Sequence, residues 1–302
     1  MNQSADHQRI ARIDSDFKSW GTRCAGWLYQ PAGMNRPPVV IMAHGFAGER
    51  TFGLPAFAER FARNGMAVFL FDYRNFGDSD GKPRNLVDPF RHCQDWEAAL
   101  EHVRHLPDID AERIALWGTS LSGGHVIVTA AHNPDVRAIV AQIPYVAPNM
   151  ELFGFRDSLK AYCAAYRDLG RKLTGRDPYC VPVVGDIGTF AMLNTPECKE
   201  GYKSFIPGDS SWENRVPARL MFKTPFYTPM RLAKRVVCPA LLIAAENDSL
   251  IPSETVKKVA SRMLRGEFEQ LPCNHFAPYQ GEFFERIVQL ETEFLCTHLE
   301  TK

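Results

Sequence analysis

The sequence predicts an α/β protein whose mostly parallel central sheet is covered by helices on both faces. Short, continuous apolar runs such as Val39–Ala43 and residues 66–71 are typical of strands that are buried on both faces. Segments with apolar residues at helical spacing, residues 54–64 and 89–105, alternate with these runs. Because a strand, helix, strand rhythm requires crossover connections between parallel strands, the alternation indicates a layered α/β core.

The first predicted elements lie at the edge of this sheet. Residues 16–29 partly alternate between apolar and polar side chains and are interrupted by Gly21 and Gly26, which predicts an antiparallel hairpin. A linker that contains proline and glycine, residues 31–38, leads into the first buried strand. The helix after that strand is expected to stop before Gly65, since glycine is common just beyond a helix end.

The alternation continues through the middle of the chain, breaks, and resumes near the C-terminus. The predicted strands cover a run that begins near residue 113 and residues 136–143, 239–245 and 267–271, and the predicted helices cover residues 122–132, 253–264 and 281–299. No internal repeat is visible, which argues against a solenoid.

The long interruption predicts an inserted cap. Between residues 144 and 236 a helical stretch, residues 157–173, is followed by glycine, proline and aromatic residues with little period. We interpret residues 144–236 as a cap over the carboxyl ends of the strands, and residues 1–143 and 237–302 as the core. Most large side chains of the insertion are expected to form its own small core rather than to contact a ligand. They are Phe190, Met192, Trp212, Phe222, Phe226 and Tyr227.

Composition and charge exclude several classes of function. Lysine plus arginine equals aspartate plus glutamate, 35 against 35, and no basic run stands out, so nucleic acid is not an expected partner. The polar residues Met1–His7 contain no secretory core and no segment is long enough to span a bilayer, so we expect a cytoplasmic protein without a membrane partner. The 8 cysteines form no Cys-x-x-Cys pair, which predicts free thiols and neither a structural metal nor a disulfide framework. A homodimer is compatible with the sequence and is not indicated by it.

Residues 113–124 predict a buried strand, a sharp turn that carries Ser120, and the start of a helix. A serine hydroxyl is a poor nucleophile in water, so an enzyme must hold it on a strained, exposed turn beside a base and beside amide donors. Gly118 stands where a side chain would collide with the following helix. The usual pattern is Gly-x-Ser-x-Gly, and Ser122 replaces its last glycine. The spacing from Gly118 favours Ser120 over Ser122 as the nucleophile.

Two groups downstream supply what a serine nucleophile needs. Asp248 follows the strand at 239–245, and His275 follows the last strand. A histidine can take the serine proton and return it to the leaving group, while a carboxylate on its other ring nitrogen fixes the tautomer. Glu246 is an alternative acid, but Asp248 lies deeper in its loop.

With Ser120, Asp248 and His275 in this order, the chain resembles the α/β-hydrolase superfamily from about Phe17 to the C-terminal helix. The segment around His275 is similar to a narrower branch. That branch contains X-prolyl-peptidase-like and acetyl-xylan-esterase-like hydrolases and fungal polyketide transferases.

The resemblance also implies roles for two loops. His44-Gly45-Phe46 is similar to the family's oxyanion loop, so the backbone amides of Phe46 and Leu121 are the implied oxyanion donors and His44 is implied to be structural. Residues 72–79 resemble the loop that braces the site in the family. Asn75 stands there where many relatives have glycine.

The expected function is hydrolysis of a small-molecule carboxylic ester or thioester through an acyl-enzyme, with no metal or organic cofactor. Acyl transfer to an alcohol or amine would use the same residues. A peptidase is less favoured, because no acidic motif for a substrate amino terminus is evident. A noncatalytic binding protein on the same scaffold is the alternative from another class.

Overall fold

A computed structural model describes residues 10–149 and 154–301; the polar N-terminal segment discussed above lies outside the described residues. The strands are β1 (Ile10–Asp14), β2 (Phe17–Ser19), β3 (Thr22–Cys24), β4 (Gly26–Pro31), β5 (Val39–Ala43), β6 (Ala67–Phe71), β7 (Ile114–Thr119), β8 (Ala138–Gln142), β9 (Cys180–Val181), β10 (Val216–Pro217), β11 (Ala240–Ala245) and β12 (Gly266–Leu271). The helices are α1 (Leu54–Arg63), α2 (Pro89–Arg104), α3 (Leu121–His132), α4 (Phe155–Leu173), α5 (Cys198–Lys203), α6 (Ser253–Ala260) and α7 (Gly281–Leu299). Short 3₁₀ turns cover Ala218–Phe222, Thr224–Phe226, Pro229–Arg235 and Ala277–Tyr279.

Within the described residues, eight strands form one sheet in the order β1-β4-β6-β5-β7-β8-β11-β12. The pairs β1/β4 and β4/β6 are antiparallel, and every other neighbouring pair is parallel. The predicted mostly parallel sheet is therefore confirmed. All six parallel strands end at the same edge, so the loops that follow β5, β7, β11 and β12 meet there.

Each parallel strand sends alternate side chains to opposite faces of the sheet. In β5, Val39 and Ile41 join one buried cluster, while Val40 and Met42 join the other. Helices α2, α3 and α6 cover the first face, and α1 and α7 cover the second. Because both faces are covered, these strands are apolar throughout, which is the pattern that predicted them.

The N-terminal edge differs from the prediction. The structure shows an additional strand, β1, that pairs antiparallel with β4, while β2 and β3 form a separate small hairpin between them. Strand β4 runs to Pro31, the first residue of the predicted linker. In β1 the residues after Ile10 are exposed, so this edge strand carries no apolar pattern that the sequence could reveal.

Residues 144–236 lie between two strands, β8 and β11, that are neighbours in the sheet. The chain therefore leaves the sheet after β8 and returns at the next position. The Asp168 carboxylate of α4 accepts hydrogen bonds from the Arg219 guanidinium (Nε, 2.6 Å) and from the amide of Tyr179 (2.8 Å). This buried ion pair holds α4 on the rest of the connection. None of the described helices is both long and apolar enough to cross a bilayer.

Close approach of α3 to the segment after β8 depends on glycine. A Cβ atom at Gly124 would lie 2.2 Å from the carbonyl oxygen of Tyr145, whereas a Cβ atom at Gly170, in α4, would meet nothing within 4 Å. We expect Gly124→Ala to lower the free energy of unfolding by about 1–3 kcal/mol through overpacking. Gly170→Ala should raise it by roughly 0.5–1 kcal/mol through helix propensity. Urea unfolding of both variants measures the difference, and equal shifts would contradict this account of the α3 contact.

Candidate active site

Ser120 occupies a strained backbone position between β7 and α3. Its φ is 53° and its ψ is −120°, outside the regions that a serine normally adopts. Two hydrogen bonds hold it there: the Ser120 amide donates to Gln142 O (2.9 Å), and the Tyr145 amide donates to Ser120 O (2.8 Å). A Cβ atom at Gly45 would lie 3.2 Å from the Ser120 Cβ, so the loop after β5 passes directly beside the turn.

Ser122 fits the turn in place of the usual glycine. It is fully buried, and its hydroxyl shares a 2.9 Å hydrogen bond with the Tyr73 hydroxyl, which accepts a second from Trp96 Nε1 (3.0 Å). The tight contact lies instead at Gly118, where a Cβ atom would stand 2.3 Å from the Ser122 carbonyl oxygen. The departure from the usual motif therefore leaves no unpaired hydroxyl behind the turn.

The structure brings Ser120, His275 and Asp248 into one hydrogen-bonded chain. His275 Nε2 lies 3.1 Å from Ser120 Oγ, and His275 Nδ1 lies 2.7 Å from Asp248 Oδ2. The other oxygen of Asp248 accepts from the amides of Leu250 (2.8 Å) and Ile251 (2.9 Å), so its carboxylate is fixed from both sides. The side chains of His275 and Asp248 are almost wholly buried, which strengthens these interactions.

Glu246, the alternative acid, does not take this position. Its side chain is exposed to solvent, and the carboxylate next to His275 is that of Asp248. The difference follows from the backbone: the Glu246 amide donates to Leu271 O (2.8 Å) and the Asn247 amide to Cys273 O (2.9 Å), so both residues continue the pairing beyond β11. Asp248 is the carboxylate that follows this paired stretch.

The loop after β5 is tied down by residues of the long connection. The Tyr202 hydroxyl donates to Phe46 O (2.8 Å), and Trp212 Nε1 donates to Ala47 O (2.9 Å). Both rings also pack against Phe52. These contacts fix the carbonyls of Phe46 and Ala47 against the long connection.

The amides of Phe46 and Leu121 are available as donors. Leu121 is the first residue of α3, so its amide has no acceptor within the helix. Among the backbone hydrogen bonds that the described turns, loops and helix caps form, none has the amide of Phe46 or Leu121 as its donor. A helix N-terminus also favours negative charge, which suits an oxyanion beside Ser120.

Beneath this loop lies a buried charged group. The Asp72 carboxylate accepts hydrogen bonds from the amides of Arg50 (2.7 Å) and Asp78 (3.2 Å), and burial raises the pKa of Asp72 to about 6 while the Arg50 charge opposes the shift. Burial lowers the pKa of His44 to about 3, so its ring is neutral, and Nδ1 donates to Gly45 O (3.0 Å). Both residues therefore brace the loop at Gly45 and Arg50.

Asn75 stands in the bracing loop with a φ of 76°, in the left-handed region. Asparagine tolerates this region better than most residues, which explains how it replaces the glycine of the relatives. Its side-chain amide donates to Pro83 O (3.0 Å) and so ties the two ends of the loop together.

Two cavities meet at Ser120 and His275. The larger has a volume of about 190 Å³, and its walls are mostly apolar side chains from the long connection and from the loop after β11. They include Tyr145, Tyr162, Met192, Leu193, Leu220, Met221, Leu250 and Ile251. The smaller has a volume of about 30 Å³ and is bounded mainly by Gly45, Phe52, Tyr202, Phe205, Phe276 and Tyr279.

Sequence reasoning did not identify most of these residues. Of the six large side chains named for the insertion, Met192 lines the larger cavity and Trp212 anchors the loop after β5, while Phe226 is 72% exposed. The expected core is therefore wrong for Phe226, whereas Met192 is buried in the apolar cluster on the first face of the sheet and Trp212 packs against it. They come from a segment without periodicity, so no local signal marked which of them face the core, the cavity or solvent.

A second group of buried histidines lies behind the Ser120 turn and was also missed. His92 stacks on Tyr73 with 4.2 Å between ring centroids, and His125 Nδ1 lies 2.6 Å from the Tyr227 hydroxyl. Burial lowers the pKa of both imidazoles, that of His125 to about 3. Within residues 10–149 and 154–301, no three His, Cys, Asp or Glu side chains cluster so that they could hold a metal ion.

Comparison with known proteins places these features in a family context. The sequence pattern of the "Alpha/beta hydrolase family" matches residues 40–287. The chain is 36% identical over 303 residues to the quorum-quenching protein AidA of Acinetobacter baumannii, with 98% of each chain covered. It is 30% identical over 300 residues to the polyketide transferase af380 of Aspergillus fumigatus, covering 96% of this chain and 99% of the relative. The expected resemblance to fungal polyketide transferases is thus confirmed.

A solved structure shares the architecture over nearly the whole chain. The crystal structure of the alpha/beta hydrolase GrgF from Penicillium sp. sh18 superposes with a TM-score of 0.82 at 25% identity. The alignment covers 96% of this chain and 99% of that one, so the connection between β8 and β11 falls within it.

The buried histidines predict a dependence of stability on pH. Because His125 has a pKa of about 3 when folded and about 6.5 when unfolded, the unfolded chain binds an extra proton between these values, and stability falls as the pH falls through that window. We expect His125→Gln to reduce the slope of unfolding free energy against pH by about 1.4 kcal/mol per pH unit between pH 6 and 4. Urea unfolding at several pH values measures this slope.

The exposed His105 provides the control for loss of an imidazole at the surface, so the slope of His125→Gln is compared with that of His105→Gln as well as with the wild type. Asp72 acts in the opposite direction, because its raised pKa makes the folded chain hold a proton between about pH 4 and 6. That contribution is common to the wild type and both variants and cancels in the comparison. An identical slope in His125→Gln and the wild type would contradict the neutral, buried imidazole.

Proposed function

The chain belongs to the alpha/beta hydrolase family, and on that premise we propose that it is a serine hydrolase that cleaves a carboxylic ester or thioester through an acyl-enzyme. The matched region and the superposition on GrgF confirm the α/β-hydrolase fold expected from the sequence. The observation that carries the proposal is the chain of hydrogen bonds from Ser120 Oγ through His275 to Asp248.

In the proposed mechanism, Ser120 Oγ attacks the carbonyl carbon while His275 Nε2 accepts its proton. Asp248 Oδ2 accepts the Nδ1–H of His275, which keeps Nε2 free as a base and stabilises the imidazolium that forms. His275 then gives the proton to the leaving alcohol or thiol, and the acyl group remains on Ser120. In the second half, His275 takes a proton from water, the resulting hydroxide attacks the acyl carbon, and Ser120 leaves with the proton returned.

The developing oxyanion is assigned to the backbone amides of Phe46 and Leu121. Both belong to the rigid surroundings of the turn, one on the loop held by Tyr202 and one at the start of α3. Donors fixed before the reaction need no reorganisation when the charge appears, and one such donor is worth on the order of a hundredfold in turnover.

We assign the acyl group to the larger cavity. Its apolar walls suit a hydrocarbon group, and a 150 Å³ apolar cavity is known to hold benzene, so about 190 Å³ admits an acyl chain or ring modestly larger than that. The smaller cavity lies on the other side of Ser120 and His275. Its volume of about 30 Å³ is far below that of the larger cavity, which favours a small attacking group such as water.

Residues 144–236 are proposed to act as a cap on a core of residues 1–143 and 237–302. The support lies in what this segment contributes: Met192 and Leu220 to the wall of the larger cavity, and Tyr202 and Trp212 to the loop that carries Phe46. A cap of this kind would choose the substrate and hold an oxyanion donor at the same time.

Acyl transfer is the second candidate, because a relative that aligns over nearly all of this chain is named a polyketide transferase. The acyl-enzyme is the same in both reactions, and they differ only in whether water or an alcohol or amine attacks it. The small size of the second cavity supports water over a bulky acceptor, and we therefore place hydrolysis first.

Single substitutions test the proposed roles. We expect Ser120→Ala to abolish labelling by a fluorophosphonate probe and to lower turnover of soluble esters and thioesters on the order of 10⁴-fold or more. Asp248→Asn should lower kcat on the order of 10⁴-fold because it no longer fixes the tautomer of His275. The matched control Glu246→Gln should keep wild-type turnover. Equal rates for Ser120→Ala and the wild type, in protein of wild-type stability, would refute the assignment.

A partition experiment separates hydrolysis from transfer. With an ester substrate and added primary alcohols of increasing size, we expect free acid as the main product and no new ester beyond the smallest alcohols. Phe205→Ala enlarges the smaller cavity and should extend transfer to larger alcohols. Met221→Ala enlarges only the larger cavity and should change acyl preference without changing the partition. Dominant transfer to bulky alcohols or amines by the wild type would favour the transferase.

A further inference from the structure

Helix α4 exposes an apolar stripe that its packing does not require. The side chains of Phe155, Leu159, Tyr162, Tyr166 and Leu173 are 85%, 56%, 38%, 65% and 79% exposed. Their spacing of four, three, four and seven residues places them along one face of the helix. Exposed apolar side chains are common singly, but five in register on one helix form a continuous surface feature.

The opposite face of α4 holds the helix on the protein. Its buried residues are Ala161, Ala164, Ala165 and Asp168, and Asp168 accepts hydrogen bonds from Arg219 as described above. The buried side of the helix thus consists of three small side chains and one ion pair. Phe155, Leu159 and Leu173 face outwards, whereas the Tyr166 ring lies 5.1 Å from that of Phe222 and Tyr162 also lines the larger cavity.

A row of cations borders the stripe. At 100° per residue, Arg156, Lys160, Arg167 and Arg171 fall within about 60° of one another on one flank of the stripe. Lys160 pairs with Asp157 (2.9 Å), the Arg167 guanidinium lies 4.3 Å from the centre of the Tyr179 ring, and Arg171 donates to a backbone carbonyl. Of the four, Lys160 alone has a carboxylate partner among the described residues, so the flank keeps a positive charge.

The stripe leads to the larger cavity. Tyr162 belongs to the stripe and also lines the cavity that reaches Ser120 and His275, and Ser158 lines the same wall one turn away. A hydrophobic molecule on the outer face of α4 would thus be next to the entrance to the proposed acyl site.

We propose that this face of α4 docks on an anionic lipid surface and that the enzyme takes amphiphilic acyl substrates from it. An aromatic and leucine stripe flanked by basic side chains is the composition of helices that lie in the plane of a membrane interface. The stripe projects outwards and is not recessed as a groove for a peptide would be. This proposal departs from the expectation that the chain has no membrane partner, which rested on the absence of a spanning segment. The substrate clause rests on the proposed function, whereas the docking clause stands without it.

Vesicle binding by the full chain tests the docking directly. We expect co-sedimentation with vesicles that contain phosphatidylglycerol, much weaker binding to pure phosphatidylcholine, and loss of binding at high salt. Phe155→Ser with Leu159→Ser should abolish binding. Arg156→Gln with Arg167→Gln should weaken it about 30-fold, since each removed cation contributes about a fivefold factor at an anionic surface.

Matched controls lie elsewhere on the surface. Leu264→Ser removes an exposed leucine and Lys257→Gln with Lys258→Gln removes two cations of α6, and neither change should alter vesicle binding. The α4 variants lie outside the cavity walls, so their hydrolysis of a short soluble ester without vesicles should match the wild type. If esters presented in the vesicles are turned over faster than in buffer, only the wild type and the controls should show the gain.

Three outcomes would overturn the docking: no binding to anionic vesicles, equal binding by the α4 variants, or binding to an acidic peptide such as polyglutamate but not to vesicles. A concentration-dependent dimer that Phe155→Ser with Leu159→Ser dissociates would assign the stripe to a second copy of the chain instead. Ser120→Ala should bind vesicles as the wild type does. If the protein binds vesicles but hydrolyses no ester, the docking proposal stands and the proposed function is refuted.

Discussion

The left-handed backbone of Ser120 is the constraint on which the rest of the site depends. A serine at a φ of 53° is held there by the Gln142 carbonyl at the end of β8 and the Tyr145 amide beyond it, by the absence of a side chain at Gly118, and by the loop at Gly45. Such strain persists only where the surroundings determine it fully. The two neighbouring parallel strands, β5 and β8, are therefore as necessary to the position of the hydroxyl as β7 itself.

The sequence predicted the site best where a candidate residue directly follows a buried, apolar strand. Buried parallel strands are apolar throughout, so their ends were visible, and Ser120, Asp248 and His275 each follow one. The exposed strand β1 and the walls of the cavities had no such signal. The hydrogen bond from Tyr202 to the Phe46 carbonyl joins residues 156 positions apart. A segment without periodicity does not predict which distant loop it will contact.

Residues 144–236 contribute both to the walls of the larger cavity and to the anchoring of the loop after β5. The same segment supplies apolar walls of the larger cavity through Met192 and Leu220 and hydrogen bonds to the loop after β5 through Tyr202 and Trp212. A displacement of this segment would therefore change the shape of the larger cavity and release the carbonyls of Phe46 and Ala47 together. Under the proposed function, substrate fit and stabilisation of the oxyanion would then be linked through the ring contacts of Tyr202 and Trp212 with Phe52.

Burial by itself does not make a histidine a base in this fold. His44, His92 and His125 are as buried as His275, and burial keeps their imidazoles neutral by lowering their pKa. What sets His275 apart is directional: a carboxylate oxygen 2.7 Å from one ring nitrogen and a serine hydroxyl 3.1 Å from the other. His44 Nε2 lies 3.7 Å from the Asp72 carboxylate, and His44 Nδ1 donates a hydrogen bond to the Gly45 carbonyl. The geometry of the partners, more than the depth of the ring, therefore distinguishes the proposed base from three structural histidines.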